Sequence, residues 1–135
     1  MSIHNDDNIS TYIIDQGSRE QLENFKKSIG DIKFDIIVDD GSHIPEHQQL
    51  TLYYFHDLLK EDGIYILEDL HTFVWDNIEN SPLYSLVFNR PFRYLTAVEN
   101  DILKANIKTA TTWNHYNELS PFCKSSITSI LTFNK

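Results

Sequence analysis

Each of two short apolar runs in the chain ends in a pair of acidic residues. The first pair is Asp39-Asp40 and the second is Glu68-Asp69. If the two runs are neighbouring strands of a parallel sheet, their ends meet at one edge of that sheet, about 4.8 Å apart. Repulsion among the carboxylates must then be relieved by protonation, by a cation or by a positively charged ligand. Oxygen-rich clusters favour hard cations such as Mg²⁺, so a metal site is one prediction.

A histidine follows the first acidic pair closely. His43 lies three residues after Asp40, beyond a Gly-Ser turn. An imidazole titrates near neutral pH, so His43 is a candidate general base at the rim of such a site. A purely structural interpretation stays open, because carboxylates at strand ends often cap the next helix and histidines near helix starts are often only surface residues. The shared sheet edge favours the functional interpretation.

The elements that would position these residues follow from local patterns. The apolar runs lack alternation, which is typical of strands covered on both faces. Ser18 followed by Gln21 predicts a helix start, Gly30 predicts its end, and Pro45 fits the first turn of the next helix. The expected fold class is α/β, a sheet that is mostly parallel and ends in a C-terminal antiparallel hairpin. About five strands are expected, at residues 11–16, 34–40, 63–68, 107–116 and 126–133, with broken helix over 79–104.

Composition narrows the class of protein. The 135 residues, 41% hydrophobic and 23% charged, suit a single domain over residues 1–135, with residues 1–10 as a flexible lead. The net charge of −9 argues against nucleic acid and anionic membranes as partners. One cysteine, Cys123, allows no internal disulfide, and no apolar run approaches the roughly 20 residues of a membrane span. A cytoplasmic location is expected.

Three segments together carry a resemblance to a known family. They read FDIIVDDGSH at 34–43, GIYILEDLHT at 63–72 with Trp75 after it, and IDQGS at 14–18. This arrangement resembles the class I S-adenosylmethionine-dependent methyltransferases. Within that family the better match is the branch that acts on sugar hydroxyls of macrolides, of the mycinamicin and macrocin type, with its cephalosporin-hydroxylase-like relatives. The similarity covers about residues 10–76.

The resemblance implies a metal site and a base. Asp40, Glu68 and Asp69 match the Mg²⁺ ligands of that family, and His43 matches its general base. In that chemistry the ion acidifies the acceptor hydroxyl and the base removes its proton. The small-molecule acceptor would be a sugar or another hydroxyl compound.

The resemblance also implies three cofactor-binding residues. Asp39 matches an acid close to the methionine part of S-adenosylmethionine. Asp15 and Gln16 match the segment that contacts the adenine. His71 and Trp75 could line the substrate entrance, although core packing is an equal alternative for Trp75.

Two strands and a Gly-rich loop of the family would precede Thr11, and this sequence does not contain them. The resemblance therefore implies a truncated Rossmann-like sheet, a single partial domain over residues 1–135, in which strand 34–40 has an open edge. Strand 11–16, a second copy in a homodimer or an N-terminal partner chain could fill that edge, and strand 11–16 is favoured for an isolated chain.

Two classes of function follow. The first is a Mg-assisted, S-adenosylmethionine-dependent O-methyltransferase that is incomplete as this chain alone. The second is a non-catalytic metal-binding or interaction module, a remnant of the same fold. A metal-dependent hydrolase is a third and more distant alternative.

Overall fold

The structure, a computed structural model, describes residues 2–5, 7–70, 78–114 and 127–135. No helix in these ranges is long and apolar enough to cross a membrane. The strands are β1 (Ser2–Asn5), β2 (Ser10–Tyr12), β3 (Phe34–Asp39), β4 (Leu59–Leu67), β5 (Ile107–Asn114) and β6 (Ile127–Phe133). The α-helices are α1 (Arg19–Ile29), α2 (Pro45–Phe55), α3 (Pro82–Phe88) and α4 (Ala97–Asn106), and short 3₁₀ turns lie at His56–Leu58 and Ile78–Asn80.

Four of the described strands form one sheet in the order β3-β4-β6-β5. β3 and β4 are parallel, whereas β6 runs antiparallel to both β4 and β5. The α/β class and the C-terminal antiparallel hairpin are therefore confirmed. The prediction of a mostly parallel, five-stranded sheet is wrong, because β6 inserts between β4 and β5 and makes two of the three pairings antiparallel.

The N-terminal residues differ from the sequence prediction. Ser2–Asn5, expected to belong to a flexible lead, forms β1 and pairs antiparallel with β2 in a separate two-stranded sheet. The predicted strand 11–16 is shorter, since only Ser10–Tyr12 is extended and hydrogen-bonded. The expectation that this strand fills the place beside β3 is wrong, because β2 takes β1 as its partner.

β3 therefore stands at an edge of the described sheet, as a strand of apolar composition. Ile36 is 57% exposed and Val38 is 54% exposed, on the face opposite the helices. Ile37, which points to the other face, packs against the core. The core lies between that face of the sheet and the helices, and its buried members include Leu22, Leu52, Tyr65, Leu67, Leu103 and Leu131.

The helix boundaries follow their local signals. Ser18 accepts the N–H of Gln21 at the start of α1, and Gly30 ends this helix with a φ of 61° that favours glycine. Pro45 opens α2 as predicted. The broken helix expected over 79–104 is resolved into α3 and α4, and Thr96 starts α4 with a complete capping box.

Candidate functional site

The two acidic pairs meet at one edge of the sheet. Asp39, the last residue of β3, is paired in register with Leu67, the last residue of β4. The N–H of Glu68 donates to the carbonyl of Asp39 at 3.0 Å, which holds the two chain segments together just past the strand ends. Parallel pairing of the two strands thus brings both acidic pairs into one region.

Three side chains form a cluster in this region, which we call the Asp-His-Asp triad: Asp40, His43 and Asp69. Their ligand atoms all lie within 4.8 Å of one another. The Nε2 of His43 is 3.3 Å from Asp69 Oδ2 and 3.7 Å from Asp40 Oδ1. Both carboxylates thus lie close to the same imidazole nitrogen.

Two members of the triad have unusual backbone conformations. His43 has a φ of 59° and Asp69 has a φ of 54°, both in the left-handed region. For residues other than glycine this conformation costs on the order of 1–3 kcal/mol, and it is enriched at functional sites. The fold therefore holds both side chains toward the triad against their local preference.

The geometry of the triad suits a divalent cation. Neighbouring donors of an octahedral ion, each about 2.1 Å from the metal, are about 3.0 Å apart. The separations of 3.3 and 3.7 Å are close to that value. The two carboxylates are donors that Mg²⁺ prefers. The imidazole beside them can either join them as a donor or stay free as a base.

Glu68, a predicted metal ligand, lies outside the triad. Its Oε2 accepts a hydrogen bond from the Thr128 hydroxyl on β6 at 2.7 Å, and its carbonyl accepts one from Gln48 Nε2 at 3.2 Å. Within the described residues, Glu68 is therefore not one of the three side chains of the triad. Glu68 immediately precedes Asp69 in the sequence. It is therefore a third carboxylate near Asp40 and Asp69 at this strand end.

Asp39 is the buried acid of the site. Only 4% of the surface of Asp39 is exposed to solvent. Oδ1 accepts from Gln16 Nε2 at 3.0 Å and from the N–H of Gly41 at 3.3 Å, whereas Oδ2 has no hydrogen-bond partner among the described residues. Burial raises the pKa of Asp39 above its ordinary value, and the hydrogen bond from Gln16 opposes that rise.

A cleft of about 500 Å³ opens beside Asp39. Ile14, Gln16 and Val38 line it together with Tyr65 of β4. Tyr65 is fully buried, and its hydroxyl has no partner in the part of the chain that is described. Burial, with the nearby charge of Asp39, raises the pKa of Tyr65 well above its usual value. The cleft thus has an apolar wall and two buried polar groups with unused hydrogen-bonding capacity.

The two predicted adenine-contacting residues have different environments. Gln16 lines the cleft, and its amide bonds to Asp39, Thr51 and the Ser42 backbone. Asp15 is exposed and does not line the cleft; its Oδ1 accepts the N–H of Gly17 at 2.8 Å, in the turn that leads into α1.

Several residues of the site have no sequence signal of their own. Thr51 lies within α2, Thr128 in an alternating strand and Tyr65 in an apolar one, so each looks like an ordinary packing residue. His71 and Trp75, predicted at the substrate entrance, lie outside the described residues.

The histidines on the helix after the triad have structural contacts. His47 Nδ1 is 2.9 Å from the Ser42 hydroxyl. His56 is 4% exposed, with Nδ1 donating to the Tyr53 carbonyl at 2.7 Å and Nε2 3.0 Å from Asn106 Nδ2. Neither ring is therefore part of the triad.

No known family profile matches the chain. The chain is nevertheless similar to part of several curated sugar O-methyltransferases. It is 35% identical over 74 residues to the 8-demethyl-8-alpha-L-rhamnosyl tetracenomycin-C 2'-O-methyltransferase of Streptomyces olivaceus. This alignment covers 55% of this chain and 19% of that protein. It is 36% identical over 67 residues to the demethylmacrocin O-methyltransferase of Streptomyces fradiae, with coverages of 50% and 16%. It is 34% identical over 61 residues to the mycinamicin VI 2''-O-methyltransferase of Micromonospora griseorubida, with coverages of 45% and 15%.

Solved structures share the fold. MycE methyltransferase from the mycinamycin biosynthetic pathway, in complex with Mg, SAH and mycinamycin VI, superposes with a TM-score of 0.64 at 21% identity. That alignment covers 93% of this chain and 31% of the MycE chain. The complex with Mg and SAH alone gives a TM-score of 0.63. The matched segment spans less than a fifth of each curated relative. The resemblance to macrolide-sugar O-methyltransferases is thus confirmed, and the chain has the fold of part of such an enzyme.

Proposed function

We propose that the chain is the metal-binding and catalytic part of a Mg-assisted, S-adenosylmethionine-dependent O-methyltransferase, whose acceptor is the hydroxyl of a sugar or a similar small molecule. The observation that carries the proposal is the Asp-His-Asp triad, at the end of the strand pair that also holds the buried Asp39. The sequence relatives methylate sugar hydroxyls by name, which supports the acceptor class.

In this proposal Asp40 and Asp69 hold the divalent ion, and Glu68 is the third carboxylate available to it. A bound Mg²⁺ would acidify the acceptor hydroxyl and orient it for methyl transfer. His43 is the general base. Its Nε2 lies beside both carboxylates and therefore close to the place of the ion, where it would accept the hydroxyl proton.

Two of the three predicted cofactor residues have contacts that suit the proposal. Asp39 offers an unpartnered carboxylate oxygen to a cationic group in the cleft, which suits the positively charged end of S-adenosylmethionine. Gln16 has one acceptor position left after its three hydrogen bonds, so it could accept one hydrogen bond from the cofactor. Asp15 stays a prediction, at the exposed turn before α1.

The test is a chemical-shift titration of the 135-residue chain with S-adenosylhomocysteine in the presence of Mg²⁺. We expect weak, millimolar binding that perturbs the backbone resonances of Ile14, Asp39 and Gly41, which border the cleft. The Asp39→Asn variant should lose part of this affinity, since its side chain is uncharged. The matched control is Asp35→Asn, which removes an exposed acid from the same strand. Shifts confined to other surfaces would contradict the proposal.

Affinity in the micromolar range would contradict a narrower part of the proposal, namely that this chain forms an incomplete cofactor site. An N-terminal partner chain or a second copy beside β3 stays part of the proposal, supported by the exposed apolar residues of that edge strand. A cytoplasmic location also stays a proposal, based on composition.

The non-catalytic alternative makes a different prediction. A metal-binding remnant would bind Mg²⁺ at the triad but show no S-adenosylhomocysteine-dependent shifts in the cleft. The unpartnered Oδ2 of Asp39 favours the methyltransferase hypothesis over the non-catalytic one. A buried carboxylate oxygen without a partner lowers stability, and a protein that binds no cofactor would have no use for it.

A further inference from the structure

The side-chain amide of Gln16 joins three parts of the site. Its Nε2 donates to Asp39 Oδ1 at 3.0 Å and to Thr51 Oγ1 at 3.2 Å. Its Oε1 accepts the backbone N–H of Ser42 at 2.9 Å. An amide has two donor hydrogens and two acceptor positions, so three of the four are used within the chain. Gln16 thereby connects the end of β3, helix α2 and the turn that follows β3.

Gly41 packs directly against this amide. A Cβ placed on Gly41 would lie 2.2 Å from Gln16 Oε1 and 2.8 Å from its Cδ, closer than such atoms approach in proteins. The φ of Gly41 is outside the left-handed region, so its backbone conformation does not require glycine. Glycine fits at position 41 because the Gln16 amide occupies the space that a Cβ would need. Any side chain at this position would push the amide away from its three partners.

The turn held by Gln16 carries two members of the triad. Asp40 and His43 flank the Gly-Ser pair of this turn, and His43 has a left-handed backbone that needs support from its surroundings. We infer that Gln16 is a positioning residue, whose amide clamps this turn so that Asp40 and His43 face Asp69.

The inference has two consequences that can be measured separately. The clamp itself is a property of the chain without metal. Its effect on metal binding rests on the function proposed above, because it presumes that the triad holds a divalent ion.

Amide hydrogen exchange of the 135-residue chain tests the clamp. In the Gln16→Ala variant the Ser42 N–H loses its acceptor and should exchange about tenfold faster, the effect of one hydrogen bond. The Glu68 N–H, which donates to the Asp39 carbonyl, should keep its protection, since the strand ends remain paired. Equal Ser42 exchange in both proteins would overturn the inference. So would equal acceleration at Glu68, which would mean general loosening of the site.

Mn²⁺ titration tests the effect on the triad. We expect Gln16→Ala and Gly41→Ala each to weaken Mn²⁺ binding about tenfold, as removal of outer-shell support commonly does. The double variant should be weakened about tenfold rather than a hundredfold, because the added Cβ acts only by displacing the Gln16 amide. The control Asn24→Ala, which removes an exposed side-chain amide from α1, should bind as the unaltered chain does.

A hundredfold loss in the double variant would show that the two residues act independently and would overturn the clamp.

Paramagnetic broadening of the His43 ring protons at saturating Mn²⁺ separates positioning from a loss of stability. It should weaken in Gln16→Ala if His43 moves away from the ion, and unchanged broadening would overturn the positioning role. If the unaltered chain binds no Mn²⁺, the proposed function fails, and the exchange measurement alone decides the clamp.

Discussion

Asp39→Asn should make the chain more stable at neutral pH. The carboxylate is 4% exposed, and its Oδ2 has no partner in the described structure. Burying an ionised oxygen without a hydrogen bond costs about 1–3 kcal/mol or more. Asparagine keeps an Oδ1 for the Gln16 and Gly41 donors and removes the charge, but its Nδ2 stays without a partner. We therefore expect a net gain of about 1–2 kcal/mol in the free energy of unfolding near pH 7.

The gain should depend on pH in a defined direction. Burial raises the pKa of Asp39 in the folded chain above its ordinary value. Between the ordinary and the raised value, the folded chain binds more protons than the unfolded chain, so Asp39 lowers stability as the pH rises through that window. Below both values Asp39 is protonated in both states, and its penalty disappears. The advantage of Asp39→Asn should therefore shrink as the pH falls toward about 4.

Urea unfolding followed by circular dichroism, at about pH 7 and about pH 4, measures both effects. The matched control is Asp35→Asn on the same strand, an exposed acid that pairs with Lys60 at 3.0 Å. Its effect should stay within about 0.5 kcal/mol at either pH, because exposed ion pairs contribute little. A destabilising Asp39→Asn, or a gain of equal size at both pH values, would refute the reasoning.

Three further changes have definite expected outcomes. Burial lowers the pKa of His56, and both of its ring nitrogens are engaged. The stability that neutral His56 provides is therefore lost as the pH falls below about 6.5. Urea unfolding should show a loss of up to about 2 kcal/mol between about pH 7.5 and pH 5, and the His56→Gln variant should lack this loss. An equal loss in His56→Gln would assign the effect to the carboxylates. Thr128→Val removes the hydroxyl bound to Glu68, and stability should fall by about 1 kcal/mol, whereas an unchanged urea midpoint would show that this bond contributes nothing. In an enzyme assembled with the remaining part of the fold, His43→Ala should lower turnover by roughly 10²-fold, and a loss below about threefold would remove His43 from the base role.

The local elements could be predicted from the sequence because their signals are local. Ser18, Gly30 and Pro45 mark helix boundaries through capping and backbone preference, and all three stand where the structure has those boundaries. The apolar runs likewise identify β3 and β4, and their parallel pairing brings the acidic pairs together.

The sheet order could not be predicted in the same way. β6 pairs with both β4 and β5, and such long-range partners depend on how the hairpin packs rather than on any short pattern. β2 was expected beside β3, but Ser2–Asn5 gives it a nearer partner across a short connection.

The site shows a similar division. Residue types identified the acids and His43, whereas their arrangement depends on backbone conformations that the sequence does not reveal. The left-handed φ of Asp69 points its side chain toward His43, and Thr128 draws Glu68 away from them. The amide of Gln16 could not be assigned in advance either, because its three partners come from distant parts of the chain.

The most direct test of the central claim is Mn²⁺ binding by three forms of the chain: unaltered, Asp69→Asn and His43→Asn. Asparagine tolerates the left-handed backbone of both positions, so each variant changes the side chain without new strain. If Asp69 is a ligand and His43 is the base, Asp69→Asn should weaken Mn²⁺ binding at least tenfold and His43→Asn less than about threefold. Unchanged binding in Asp69→Asn would contradict the metal site, and equal losses in both variants would make His43 a ligand rather than the base.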